Sequence, residues 1–340
     1  MTTNNREQLH QRLWAAAEQL RANSGLKLNE ISEPILGLIF LKFADVRFQR
    51  MQKWILNDRS SEQYLGGSRR QAPITSDTYK AKGVLFLPEI ASYSYLMNLP
   101  ENVDIGKAIN AAMKEIEAEN TDLAGVLPQD FTGLHKNPGE NSKILITLLK
   151  NFNQIPDDIE GDAFGEIYEY FLGEFARSEG AKGGEFFTPQ SIVKLLVEII
   201  EPYHGRILDP ACGSGGMFVQ SANFVKSHSE KKSQVMNNVE TQNFAPLLYG
   251  QEKGTSNIRT AKMNLAIHGL SGKILEVNSF YEDPFNSVGA FDFVLANPPF
   301  NVKGKDKNKQ IIIDPEKIKN DPRYYLGLPI TGKNEISNAN

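Results

Sequence analysis

The sequence predicts an α/β chain in two parts, an all-helical N-terminal domain over residues 1–155 followed by a parallel-sheet domain over residues 156–340. Three observations carry that prediction. Apolar residues recur at helical spacing through the first part. In the second part short apolar runs alternate with helical patterns, as βαβ units require. A glycine-rich turn follows the first of those runs, where a parallel sheet places its ligand loops. A length of 340 residues suits about two domains. With 40% hydrophobic and 23% charged residues the composition is globular, which excludes disordered, collagen-like and disulfide-scaffold classes.

The elements follow in chain order. Leu13, Ala17 and Leu20 mark a first helix, and Ile35, Leu38, Ile39, Phe43 and Val46 mark one face of a second that starts near Pro34. The polar, Gly/Ser-rich stretch from Asn57 to Lys82 reads as a surface excursion. Ile105, Ala108, Ile109, Ala112 and Ile116 give a third helix, and helical patterns continue through Lys143–Phe152 and Phe164–Phe175. The boundary is expected near Ile155–Gly161, where Pro156 and two aspartates interrupt the apolar pattern; the Phe164–Phe175 helix fits either side of it. Thr188-Pro189 is a helix start signal, a hydroxyl to cap amides and a proline at the first helical position, ahead of a helix Gln190–Ile200. Strands are predicted at Arg206–Leu208, Leu247–Gly250, Ile274–Val277 and Phe291–Ala296, with helices after the first and second, in a three-layer arrangement.

Charge and cysteine content bound the setting. Net charge is −4 from 37 basic and 41 acidic residues, so nucleic-acid binding would have to come from a local patch or a partner. The single cysteine, Cys212, forms no internal disulfide and fits a reducing compartment. The opening segment lacks a short apolar core behind a basic start, and no run reaches about 18 apolar residues, so the expected location is cytoplasmic, with no membrane partner.

Two segments carry chemistry. Leu208-Asp209-Pro210-Ala211-Cys212-Gly213-Ser214-Gly215-Gly216 takes a strand end through a glycine-rich turn into a helix from Met217. The dinucleotide fingerprint is not met, because Phe218 stands where its third glycine belongs and no acid follows about 20 residues on. Directly after the fourth predicted strand comes Asn297-Pro298-Pro299-Phe300. Prolines donate no ladder hydrogen bonds, so the strand must stop at Asn297, displaying an amide, a backbone carbonyl and a ring at the sheet's carboxyl edge. Glu252 ends the second strand, where an acid can accept hydrogen bonds from both hydroxyls of a ribose. Cys212 reads as a small buried thiol, since no His–Asp pair stands nearby to activate it.

DPACGSGG and NPPF together resemble the S-adenosylmethionine loop and the catalytic tetrapeptide of amino-directed DNA methyltransferases, and FFTP at Phe186–Pro189 resembles the segment before their first strand. Within that class the sequence is most similar to the modification subunit of type I restriction–modification systems. LWAAAEQLRANSGLKLNEISEPILGLIFLKF resembles that subunit's helical domain, and LYGQEKGTSNIRTAKMNLAIHG its second strand and following helix. The resemblance implies a Rossmann-like methyltransferase domain that uses S-adenosyl-L-methionine to methylate the exocyclic amino group of adenine in double-stranded DNA. It also implies target choice by a separate specificity subunit, together with a restriction (nuclease) subunit and a second modification subunit. Asn297 and Pro298 would accept hydrogen bonds from the adenine amino group through a side-chain and a backbone oxygen; Pro299 would hold the turn, and Phe300 would stack on the flipped base. Cofactor contacts would come from Phe187, Thr188, Pro189, Asp209, Ala211, Gly213, Ser214, Gly215, Gly216 and Glu252, and from Asn278, which stands where the family usually has an aspartate. Asp209 would face the cationic end of the cofactor or cap the turn. The chemistry needs no metal.

Departures keep other readings open. About 40 residues follow Phe300 without a clear βα unit, whereas the family's sheet has seven strands with the fourth in the interior. The sheet is therefore expected to be incomplete at the C-terminus, either in a truncated form of a longer subunit or with its edge covered by a partner. Lys303, Lys305, Lys307 and Lys309 read as a solvated loop or as phosphate contacts. Two rivals remain: a methyltransferase of another planar amine, such as a protein glutamine, and a catalytically inactive cofactor-binding or assembly subunit.

Overall fold

The computed structural model describes residues 3–57, 74–100, 102–134, 137–157, 163–179, 188–235, 246–298 and 314–327. The chain divides into two units, Met1–Ser178 with Ile267–Gly269, and Glu179–Ala266 with Leu270–Asn340. No helix among the described residues is long and apolar enough to cross a membrane.

The first unit is helical: α1 Thr3–Ser24, α2 Leu28–Asn57, α3 Ser76–Lys80, α4 Tyr93–Met97, α5 Ile105–Glu119, α6 Pro138–Phe152 and α7 Ala163–Glu179. Two expectations change. Helix α2 begins at Leu28 and carries Pro34 inside it rather than at its start. Its residues 34–46 are buried on every side, Lys42 and Asp45 included, so α2 is a central helix and not a one-faced amphipathic one. The buried charges are partnered: the Lys42 ammonium donates to Asn153 at 3.2 Å and Asp157 at 2.9 Å, and Asp45 accepts from Gln49 and from the Tyr93 amide. Within the supposed surface excursion residues 58–73 lie outside the described set, while α3 buries Tyr79 against Phe48, ring centroids 4.5 Å apart.

Aromatic packing decides where α7 belongs. Trp14 of α1 meets Phe171 and Phe175 edge-on at 5.4 and 5.0 Å, Phe43 of α2 meets Phe164 at 5.7 Å, and Phe152 of α6 meets Phe171 at 6.0 Å. The helix that fitted either side by sequence falls in the helical unit, whose main segment closes at Ser178.

The second unit runs α8 Gln190–Ile200, β1 Arg206–Asp209, α9 Gly216–Val235, β2 Leu247–Glu252, α10 Thr255–Ile267, β3 Gly272–Glu276, β4 Phe293–Val294 and α11 Pro315–Ile318. All four strands are parallel, in the order β3-β2-β1-β4, with Leu208 opposite Tyr249 on one side and Val294 on the other. Val193 and Val197 of α8, Phe218 of α9 and Ala261 and Leu265 of α10 form one core with Ile207, Leu248 and Ile274 of the sheet. The opposite face carries Tyr249, ringed by Phe285 and Phe291 at 5.2 Å each from the irregular β3–β4 connection. Among the described residues the second covering layer is thus loop and aromatic rings, not the helices a three-layer expectation supplies. The fourth strand is also shorter than Phe291–Ala296, with two residues in the ladder.

Candidate active site

The strand order places the site. From β1 the chain moves through β2 to β3 on one side, then returns to add β4 on the other, so the order reverses between β1 and β4. Loops leaving two parallel strands at such a switch diverge and open a crevice at their carboxyl ends, where open α/β sheets bind ligands. The loop after β1 is Asp209–Gly216 and the turn after β4 begins at Asn297. The Leu295 amide donates to the Leu208 carbonyl at 3.0 Å, which holds the two exits side by side.

Backbone geometry explains the glycines of the first loop. Gly213 and Gly215 take positive φ, +50° and +77°, a region L side chains rarely enter. A Cβ on Gly213 or Gly216 would meet nothing within 4 Å, so open space lies against the loop. The loop is pinned elsewhere. The Cys212 amide donates to the Gln251 carbonyl at 3.0 Å, and the Gly213 amide donates to the Glu252 carboxylate at 3.1 Å. The other Glu252 oxygen accepts from the amides of Lys253 and Gly254 at 2.9 and 2.8 Å, so three amides converge on one carboxylate at the end of β2.

Asp209 ends β1, is 1% exposed, and accepts from the Ala211 amide at 3.0 Å. It caps the turn, one of the two roles its sequence position left open. Burial pushes its carboxyl up to about 7; the Ala211 hydrogen bond opposes the rise, and the nearby Glu252 charge adds to it. Burial also holds the Cys212 thiol far above its usual range, with Asp209 and Glu252 adding to the effect, which agrees with an unreactive packing residue. Asn278, two residues beyond β3, turns its side-chain oxygen onto the Phe280 amide at 3.1 Å. The expected partner of that oxygen, an adenine amino group, would have to share it.

Thr188 and Pro189 depart from the expected cap. Pro189 itself is the residue before α8, and no side chain caps the helix. Instead the Thr188 hydroxyl oxygen accepts from the Asn297 side-chain amide at 2.7 Å. Asn297 is half-buried and Pro298 exposed, at the open end of the sheet. Phe187, Pro299 and Phe300 lie outside the described residues, as do Lys303, Lys305, Lys307 and Lys309. The structure therefore brings together Thr188, the Asp209–Gly216 loop, Glu252 and Asn297.

Residues 159–337, more than half of the chain, match the N-6 DNA methylase family. The chain belongs to that family. Residues 9–152 match the HsdM N-terminal domain. The chain is 34% identical to a type I restriction enzyme MjaIX methylase subunit of Methanocaldococcus jannaschii over 93% of this chain and 54% of the relative. It is 36% identical to a HindI methylase subunit of Haemophilus influenzae over 67% of this chain and 49% of the relative. The chain thus spans about half the length of the curated relatives it matches. Among solved structures, a type I restriction-modification methyltransferase subunit from Streptococcus thermophilus superposes with a TM-score of 0.67 at 22% identity, over 88% of this chain and 64% of that one, which shows the fold.

Sequence reasoning missed Asn264. This fully buried side chain on α10 donates to the Ser214 carbonyl at 2.9 Å and so braces the glycine loop from behind. The signal was present: an asparagine among the buried residues Ala261, Met263 and Leu265 must have a polar reason to be there.

Proposed function

We propose that this chain is the catalytic part of an adenine-specific DNA methyltransferase that uses S-adenosyl-L-methionine and works with a separate specificity subunit, in the manner of a type I modification subunit. The observation that carries the reading is the shared exit of the glycine loop and Asn297 at the β1–β4 switch point, with open space against Gly213 and Gly216. The residues present suit the cofactor: Glu252 stands at the end of β2 for a ribose diol, and Asp209 caps the glycine loop that would lie against it. When bound, S-adenosylmethionine supplies an electrophilic methyl carbon on a sulfonium.

The chain's own residues do the rest. An aryl amine is a weak nucleophile because its lone pair is delocalised into the ring. The Asn297 side-chain oxygen and the Pro298 carbonyl, accepting from the amino group, favour a pyramidal nitrogen and face the positive charge that develops on it. Asn297 and Pro298 would hold the amino nitrogen in place while it takes up the methyl group and gives its proton to solvent, and that positioning is the chain's main contribution to rate. Cytoplasmic location, double-stranded DNA as substrate, and further restriction and modification subunits as partners complete the reading. The match to the N-6 DNA methylase family favours DNA over a protein amide as methyl acceptor.

The test is transfer of labelled methyl from S-adenosylmethionine into duplex DNA, with the specificity subunit added. Asn297→Ala should abolish transfer while cofactor affinity, read by calorimetry, stays within about three-fold, because the amide acts on charge formed only in the transition state. Equal loss of both would refute the assignment.

A further inference from the structure

Thr188 is set where a helix cap is expected, yet it does not cap. Helix α8 starts at Gln190 behind Pro189, whose carbonyl takes the amides of Ile192 and Val193, and the Thr188 hydroxyl is left free for another partner. That partner is Asn297, whose side-chain amide donates to it at 2.7 Å across 109 residues of sequence.

We propose that Thr188 is a positioning residue that fixes which way the Asn297 side chain faces. A carboxamide is nearly symmetric in shape but opposite in polarity at its two ends. Turned one way, Asn297 offers an oxygen to an incoming amino group; turned the other, it offers an NH2, and donor meets donor. In the arrangement seen, the Thr188 oxygen accepts from the amide nitrogen and the carbonyl end faces outward; with the hydroxyl proton directed away from Asn297, the reversed amide would set two oxygens against each other. A hydroxyl that engages Asn297 in this way serves the catalytic turn in place of the cofactor contact that resemblance gives Thr188. The inference deepens the methyltransferase reading and rests on it for its kinetic consequence, though not for its structural one.

Thr188→Val keeps the shape and removes the acceptor; Thr188→Ser keeps the acceptor. In the assembled complex, Thr188→Val should lower the single-turnover methyl-transfer rate by about ten- to a hundred-fold, with the cofactor dissociation constant and the KM for DNA within about three-fold, and Thr188→Ser should recover most of the rate. A second readout does not depend on activity. In the isotope-labelled chain, one side-chain amide proton of Asn297, assigned by its loss in Asn297→Ala, should be protected from solvent exchange in the wild type and in Thr188→Ser, and unprotected in Thr188→Val. A rate loss matched by an equal loss of cofactor affinity would overturn the proposal, as would an Asn297 amide indifferent to the valine. A wild-type chain with the protected amide but no methyl transfer would count against the methyltransferase reading instead.

Discussion

Replacing Asp209 with asparagine should flatten the pH dependence of the sheet unit's stability. In the folded chain the carboxyl is 1% exposed and burial lifts its pKa from the ordinary 3.8 to about 7. A carboxyl raised in this way binds its proton more tightly folded than unfolded. Its contribution to stability is therefore complete below the unfolded value and is lost as pH rises through the folded one. Between about pH 5.5 and about pH 8.5 the unfolded carboxyl stays ionised, while the folded one goes from almost fully protonated to almost fully ionised, a loss of about 2 kcal/mol. Asparagine keeps the oxygen that accepts from the Ala211 amide and titrates nowhere in that range. Burying its extra N–H donors carries a cost of its own, but that cost is the same at both pH values and cancels in the comparison. The assay is urea denaturation of the wild type and Asp209→Asn at the two pH values. Circular dichroism and hydrogen exchange in β1 and β2 are the readouts, because both tryptophans, Trp14 and Trp54, lie in the helical unit. A variant that loses stability with pH as steeply as the wild type would refute the assignment of the titration to Asp209.

Further outcomes follow from the same geometry. Glu252→Ala should weaken binding of S-adenosylmethionine by about ten-fold or more, as expected on removing acceptors of charge-assisted hydrogen bonds, and calorimetry showing an unchanged dissociation constant would remove the residue from the cofactor site. Gly250→Ala would set a Cβ 2.9 Å from the Cys212 sulfur, 3.1 Å from Phe218 and 3.2 Å from Ile274, so thermal unfolding should show a loss of about 1–3 kcal/mol, eased in part by adding Cys212→Ala. If Gly250→Ala alone were neutral, the close packing behind the glycine loop would be misread.

Much of this architecture was legible in the chain because local signals and tertiary demands agree there. The helix Gln190–Ile200 stands where its apolar spacing put it, and β1 and β2 end one or two residues from their expected limits. The sequence alone puts the two loops at one edge of the sheet, since parallel strands bring their carboxyl ends together. What escaped was contextual. Periodicity marks the apolar stripe of α2, but it cannot show that Lys42 and Asp45 are also enclosed, since that depends on helices far along the sequence. The Thr188-Pro189 pair carries a capping signature, yet its hydroxyl was drawn off by Asn297, a partner no local pattern reveals. The covering of the second sheet face also escaped, because Tyr249, Phe285 and Phe291 close it with ring contacts that leave no periodicity to read.

The crowding of amides around Glu252 has a consequence for how a ligand enters. A carboxylate offers about four lone-pair positions, and here the Gly213, Lys253 and Gly254 amides occupy three. If Glu252 takes a ribose diol as proposed, two hydroxyl donors would meet one open position and displace an amide. The Gly213 amide is the one that comes from another segment, so a bound sugar would loosen the turn after β1, and nucleosides lacking one hydroxyl should leave that turn in place.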